Sequence, residues 1–202
     1  MASHLSSNAG QYAAEDSGRG VVLHLVTSLC VGGTERYLLR MIKSSPPGLT
    51  HEVLCKSGVA GALAEEYLQQ GVTIRADRLG YLNPIAWLRL LRLMGRQRYV
   101  AVCDFTADFA GIPLSLAKLA GVKNRVACYR HSHVPYKRGI RDLYALMSRW
   151  LLKRSATAIL SNSRANLDAF FPRWTSEHGQ FVIVPNGVDP QEFFPDAQRR
   201  EA

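Results

Sequence analysis

Residues 100–129 read VAVCDFTADFAGIPLSLAKLAGVKNRVACY. The apolar run at 100–103 has the length of a buried strand. Residues 109–120 carry helical spacing that stops at Gly121, and a second apolar run follows at 125–129. Strand, helix, strand over so short a stretch is a βαβ unit, and its two strands must lie parallel because the helix carries the chain back to the starting edge.

The same alternation extends outward in both directions. Before it, strands at 21–26, 51–55 and 72–75 alternate with helices at 34–43, 63–70 and 84–96. Pro84 sits at the favoured first helical position. After it come a helix at 140–154, a strand at 156–160, a helix at 163–171 with Ser163 as N-cap, and a strand at 181–184. In the long helix Ile140, Leu143, Tyr144, Met147, Trp150 and Leu151 recur at amphipathic spacing. The fold class that follows is α/β: a Rossmann-like, doubly wound parallel sheet. Ligands bind such sheets at the carboxyl ends of the strands, which makes the loops after each strand the places to look.

Composition narrows the setting. The chain has 202 residues, enough for one well-packed layer structure, and no stretch is long and uncharged enough to cross a bilayer. Residues 1–20 are rich in Ser, Ala, Gly and Asn without an apolar block, which predicts a disordered leader rather than a secretory signal. Cys30, Cys55, Cys103 and Cys128 are far apart and form no metal or disulfide spacing, so a reduced, cytoplasmic compartment is expected.

The net charge is +9, and Arg125, Arg130, Lys137, Arg138, Arg141, Arg149 and Lys153 cluster against the single acid Asp142. Such a surface attracts nucleic acid, anionic lipid or a phosphorylated substrate. No zinc-finger, RNA-recognition or Arg-rich motif accompanies it, which sets nucleic acid aside as a partner.

Four strand-end loops can carry chemistry. After the first strand, Gly32 and Gly33 allow a phosphate to approach backbone N–H groups at a helix start, or form a tight βα turn with Thr34 as cap. After the fourth, Asp104, Thr106 and Asp108 suit polyol recognition, although Asp108 can equally cap the following helix. After the fifth, His131 and His133 can act as base, hydrogen-bond a sugar or bind a metal; a metal would need a third ligand, and none has suitable spacing. Ser161-Asn162-Ser163 reads as a polar loop with a cap.

The helices at 84–96 and 140–154 place arginines beside apolar and aromatic residues. Packing of the apolar faces on the sheet is the favoured reading. Docking on anionic lipid at the inner face of a membrane is the other.

The order of these pieces along the chain is itself informative. A Gly-Gly-x-Glu turn at 32–35 is followed by Arg130-His131-Ser132-His133 after a central strand, by Ser161-Asn162-Ser163, and by Val184-Pro185-Asn186-Gly187-Val188-Asp189. This succession over about 21–194 resembles the N-terminal, acceptor-side domain of family 4 glycosyltransferases of the polysaccharide-building type. The resemblance implies one half of a two-domain GT-B architecture and retaining hexosyl transfer from a nucleotide-diphosphate sugar to a glycan or lipid-linked acceptor. It implies no metal or other cofactor.

By position in the motifs, the resemblance puts His131 beside the reacting sugar and Gly32 and Gly33 against the donor diphosphate. It puts Asp104, Thr106, Asp108 and His133 on the acceptor side, and Asn186 and Gly187 at the interdomain hinge. The expected division is a leader at 1–20, the Rossmann-like domain at 21–184, and a hinge with a truncated tail at 185–202. The family's donor-binding domain, with its Glu-x7-Glu motif, would have to come in cis or from a partner chain, and without it the chain is expected to be inactive. The alternative is a non-catalytic Rossmann-like binding subunit that needs a separate partner.

Overall fold

The computed structural model describes residues 20–80, 83–130, 140–176 and 179–187. Seven strands form one all-parallel sheet: β1 (Gly20–Val26), β2 (Leu49–Cys55), β3 (Thr73–Ala76), β4 (Ala101–Asp104), β5 (Asn124–Tyr129), β6 (Ala158–Ser161) and β7 (Phe181–Ile183). Their spatial order is β3-β2-β1-β4-β5-β6-β7. The chain first winds outward to β3, then returns past β1 to build the other half. The direction of winding therefore reverses between β1 and β4, where Leu25 is in register with Asp104.

Six helices connect the strands: α1 (Gly33–Lys43), α2 (Ala64–Leu68), α3 (Pro84–Gln97), α4 (Gly111–Leu119), α5 (Ile140–Ser155) and α6 (Arg164–Phe170). Two cores separate the layers. Leu38, Leu39 and Ile42 of α1 and Tyr67 of α2 pack with Val26 and Val53 on one face. Leu90 and Met94 of α3, Leu114 of α4, Leu152 of α5 and Leu167 of α6 pack with Leu23, Leu25 and Val102 on the other. Successive strand residues point to opposite faces, so one continuous apolar run supplies both cores.

The helix starts follow local chemistry. The Asn83 side chain accepts from Ala86 N–H ahead of Pro84, and Ser163 accepts from Asn166 N–H. The single helix expected at 109–120 is divided: a 3₁₀ turn (Ala107–Ala110) precedes α4. At the junction Gly111 lies against Ser148 of α5, where any side chain would collide with the Ser148 carbonyl, and its N–H donates to Ser148 Oγ at 3.2 Å. This close approach fixes α5 on α4. Cys55 and Cys128 are buried and Cys103 is half-buried, and burial pushes the Cys55 thiol up to about 11 and the Cys103 thiol up to about 12.

Beneath α1 lies a buried polar chain. His24 on β1 stacks on His51 of β2, with His24 Nε2 3.0 Å from His51 Nδ1, and His51 Nε2 lies 2.9 Å from Ser45 Oγ. Ser45 Oγ donates to the Ile42 carbonyl at 2.8 Å, so the hydroxyl accepts from His51 Nε2–H and His51 Nδ1 accepts from His24 Nε2–H. His24 Nδ1 is then a bare buried lone pair with no partner among the described residues. Burial, and secondarily the His51 charge, push the His24 imidazole down to about 3, while burial also lowers His51.

Because the unfolded chain binds these protons at higher pH than the fold does, stability falls as pH drops from the ordinary value of 6.5 toward about 3. Urea titrations across that window should show His24 alone contributing a loss of roughly 4 kcal/mol at the acid end. His24→Phe should flatten the profile; an unchanged slope would show that the acid loss arises from other groups than His24.

Candidate functional site

The sheet's carboxyl edge opens into a cavity of about 400 Å³. Its floor comes from four strand ends: Thr27 after β1, Lys56 and Ser57 after β2, Arg78 after β3 and Thr106 after β4. Trp87 of α3, Phe109 of the 3₁₀ turn and Tyr144 of α5 supply aromatic walls. Parallel pairing continues past the strands and holds these loops in place. Lys56 N–H donates to the Val26 carbonyl, Ser57 N–H to that of Thr27, and Leu79 N–H to that of Lys56, at 2.9, 2.9 and 3.1 Å. Gly61 (φ +104°) brings its backbone against Leu29 and Cys30, where a side chain would collide, and this fastens the loop after β1.

Lys56 organises the floor. Its Nζ donates to Asp104 Oδ2 at 2.7 Å and to Thr106 Oγ1 at 2.6 Å. Asp104 is fully buried, and its Oδ1 accepts from Thr106 N–H at 2.9 Å and Thr106 Oγ1–H at 2.6 Å. Burial pulls the Lys56 ammonium below the usual lysine value, and the Asp104 carboxylate pushes back. An ammonium carries three N–H donors, and Lys56 commits two of them to these partners while lining the cavity. Ala107, the next residue along, holds a left-handed φ of +50°, a strain of about 1 kcal/mol that the networks on either side sustain.

Asp108 is buried in a second network. Arg149 of α5 grips both its oxygens at 2.7 Å, and Tyr129 O–H donates to Oδ1 at 3.0 Å. Asp104, Thr106 and Asp108, grouped by sequence as acceptor contacts, thus divide: Thr106 faces the cavity, while both carboxylates are turned into the protein and position other groups. Asp108 does not cap α4, because the 3₁₀ turn intervenes and Arg149 takes both carboxylate oxygens.

At the other side of the edge, α1 begins at Gly33 with Gly32 in the cap position, so Thr34 is not the cap and no side chain serves as one. A side chain at Gly32 would strike the Glu35 carboxylate, whereas a Cβ at Gly33 meets nothing within 4 Å. Arg130, the first residue after β5, lies over the Tyr37 ring of α1, 3.2 Å from its centroid, and donates to Asn186 Oδ1. Arg40 donates to the Gly187 carbonyl at 3.3 Å. Asn186 and Gly187 are therefore tied back to α1 and the end of β5. His131 and His133 lie outside the described residues. Among the described residues, no group of three or more His, Cys, Asp or Glu is placed to hold a metal ion.

Lys56, Arg78, Trp87 and Tyr144 line the cavity without having stood out in the sequence, where Arg149 belonged only to a basic cluster and Arg130 to that cluster and to the Arg-His-Ser-His motif. The available signal was position: Lys56 directly follows a buried strand, and Tyr144 lies in the first turns of a helix that starts at the sheet's carboxyl edge.

Residues 31–192 match the sequence profile of Glycosyltransferase Family 4. Over 190 residues the chain is 26% identical to EpsF of Bacillus subtilis (strain 168), named as a glycosyltransferase, covering 91% of this chain and 49% of EpsF. The fold is similar to that of Anabaena HepE, solved in complex with UDP and glucose (TM-score 0.62, 17% identity, 91% of this chain and 50% of HepE). It is also similar to Acinetobacter baumannii MurG (TM-score 0.53, 15% identity, 85% of this chain and 46% of MurG). The chain spans about half the length of the relatives it matches.

Removing one partner of a buried ion pair leaves the other unpaired. Lys56→Met should therefore cost about 3 kcal/mol in urea denaturation, and Lys56→Met with Asp104→Leu should recover much of it. Equal losses in the single and double variants would contradict the pairing.

Proposed function

We propose that this chain, which belongs to glycosyltransferase family 4, forms the acceptor-side wall of a retaining sugar-transfer site. The observation that carries the proposal is the cavity at the reversal point of the sheet, with an ammonium, hydroxyls and aromatic rings converging on it. Sugars offer hydroxyls to polar donors and C–H faces to aromatic rings, so this lining matches a saccharide. A nucleotide-diphosphate sugar is the proposed donor, in keeping with HepE, which was solved with UDP and glucose.

In this reading the acceptor sugar lies between Trp87 and Tyr144, with Lys56 and Thr106 fixing its hydroxyls. Asp104 and Asp108 act behind that surface. Asp104 keeps Lys56 charged and aimed, and Asp108 locks α5 through Arg149. The donor diphosphate approaches Gly32 and Gly33, where α1 presents unpaired N–H groups. Transfer breaks the bond from the anomeric carbon to phosphate oxygen and forms one to the acceptor oxygen, whose proton passes to the departing phosphate. His131 is assigned the place beside the reacting sugar, with His133 toward the acceptor. A donor-binding domain, in cis or from another chain, completes the cleft. Asn186 and Gly187 lead toward it, held by Arg130 and Arg40.

Two kinetic tests apply to the enzyme that carries this domain together with its donor-binding half. His131→Ala should lower kcat by at least about 100-fold with the fold intact; near-normal turnover would remove the histidine from the reaction. Gly33→Val should raise the donor KM with the fold retained, since a Cβ at this position meets no atom within 4 Å. An unchanged donor KM would refute the diphosphate position.

A further inference from the structure

The carboxyl-edge cavity holds a cation that no acid answers. Arg78 follows β3 and lines the cavity with an exposed side chain, and its guanidinium has no hydrogen-bond or ion-pair partner among the described residues. The acids around it are already engaged. Asp77, the adjacent residue, accepts from Arg89 Nε at 3.1 Å and from Arg89 Nη2 at 2.6 Å. Asp104 is held by Lys56, and Asp108 by Arg149. Among the described residues no acid lines the cavity, so the Arg78 charge stands uncompensated there.

The backbone holds that charge in a fixed place. Asp77 N–H donates to the Cys55 carbonyl and Leu79 N–H to that of Lys56, both at 3.1 Å, so Arg78 sits between two bonds that extend the β2–β3 pairing past the strands. Gly58, at φ +83°, packs on Arg78 from the β2 side, where a Cβ would lie 3.2 Å from Arg78 Cβ. The Asp77–Arg89 pair ties this loop to α3, the helix that brings Trp87 to the cavity wall. An exposed ion pair of this kind adds little stability, but it sets the aromatic wall and the free guanidinium in one frame.

A guanidinium presents paired N–H donors whose spacing matches the two oxygens of a carboxylate. Charge balance selects among anions. One uncompensated positive charge is answered by a carboxylate, whereas a phosphate monoester brings nearly two negative charges at neutral pH and leaves the excess unpaired. The remaining lining, with its aromatic rings, the Thr106 hydroxyl and the third N–H of Lys56, suits the body of a sugar. We infer, on the acceptor reading of this cavity, that Arg78 is a specificity-determining residue that reads the carboxylate of a hexuronic acid in the acceptor glycan, while Lys56 and Thr106 hold hydroxyls of the same ring.

The test is titration of the 202-residue chain with methyl glucuronoside, methyl glucoside and glucose 6-phosphate, followed by the chemical shifts of the cavity residues. The glucuronoside should bind at least about tenfold tighter than the glucoside, as a charge-assisted pair requires, and tighter than the 6-phosphate. Added salt should narrow the difference. Arg78→Gln should bring the ratio of glucuronoside to glucoside affinity to about one, and Arg78→Lys should restore only part of it, because an ammonium lacks the paired donors. The Arg78 side chain is exposed and partnerless among the described residues, so both variants should keep the parent's thermal transition. Equal affinity of the two glycosides at the cavity, a preference that survives Arg78→Gln, or tighter binding of the 6-phosphate would overturn the assignment of Arg78 and leave the acceptor reading standing. Failure of every one of these sugars to shift the cavity residues would remove both.

Discussion

Parallel pairing on both flanks of β1 is the constraint from which the rest follows. With β2 on one side and β4 on the other, every strand delivers its following loop to the same edge. The reversal of winding between β1 and β4 then keeps the loops on the two flanks from covering one another. Lys56 arrives from the β2 side and Asp104 from the β4 side, and their ion pair spans the end of β1. An antiparallel strand at either flank would carry one partner to the opposite edge and leave a charge buried alone.

The buried charges at this edge work by asymmetry. A buried pair adds little net stability over a well-packed apolar core, yet leaving one member unpaired is expensive. Loop 104–108 carries two such carboxylates in succession, each satisfied by a cation from a different element, with a left-handed alanine between them. The arrangement over-determines the loop and presents Thr106 in one orientation. Arg130 applies a similar economy on the other side, joining β5, α1 and the Pro-Asn-Gly segment through one guanidinium.

The architecture was legible because it is written in local period. Each of the seven expected strands and each of the six expected helices has a counterpart, and the parallel direction follows from the helical crossovers between them. The family resemblance likewise rested on short local motifs, and the profile match agrees with it. The floor of the cavity was not legible, because its partners are distant in the chain. Lys56 lies 48 positions from Asp104, and Arg149 lies 41 from Asp108. A sequence shows that Asp104 and Asp108 are acidic and near a strand end, but not that both oxygens of each are already taken. Nor does helical spacing reveal how wide a face its neighbours cover: α4 meets α5 at Gly111 and Ser148, leaving Trp150 outside.

The central claim is that the carboxyl-edge cavity receives the acceptor sugar. Chemical-shift mapping on the chain, titrated with a saccharide that serves as acceptor in turnover, addresses it most directly. The account predicts saturable shifts concentrated at Thr27, Lys56, Thr106, the Trp87 indole and Tyr144, which line the cavity. Shifts confined to another face, with these residues silent, would contradict it.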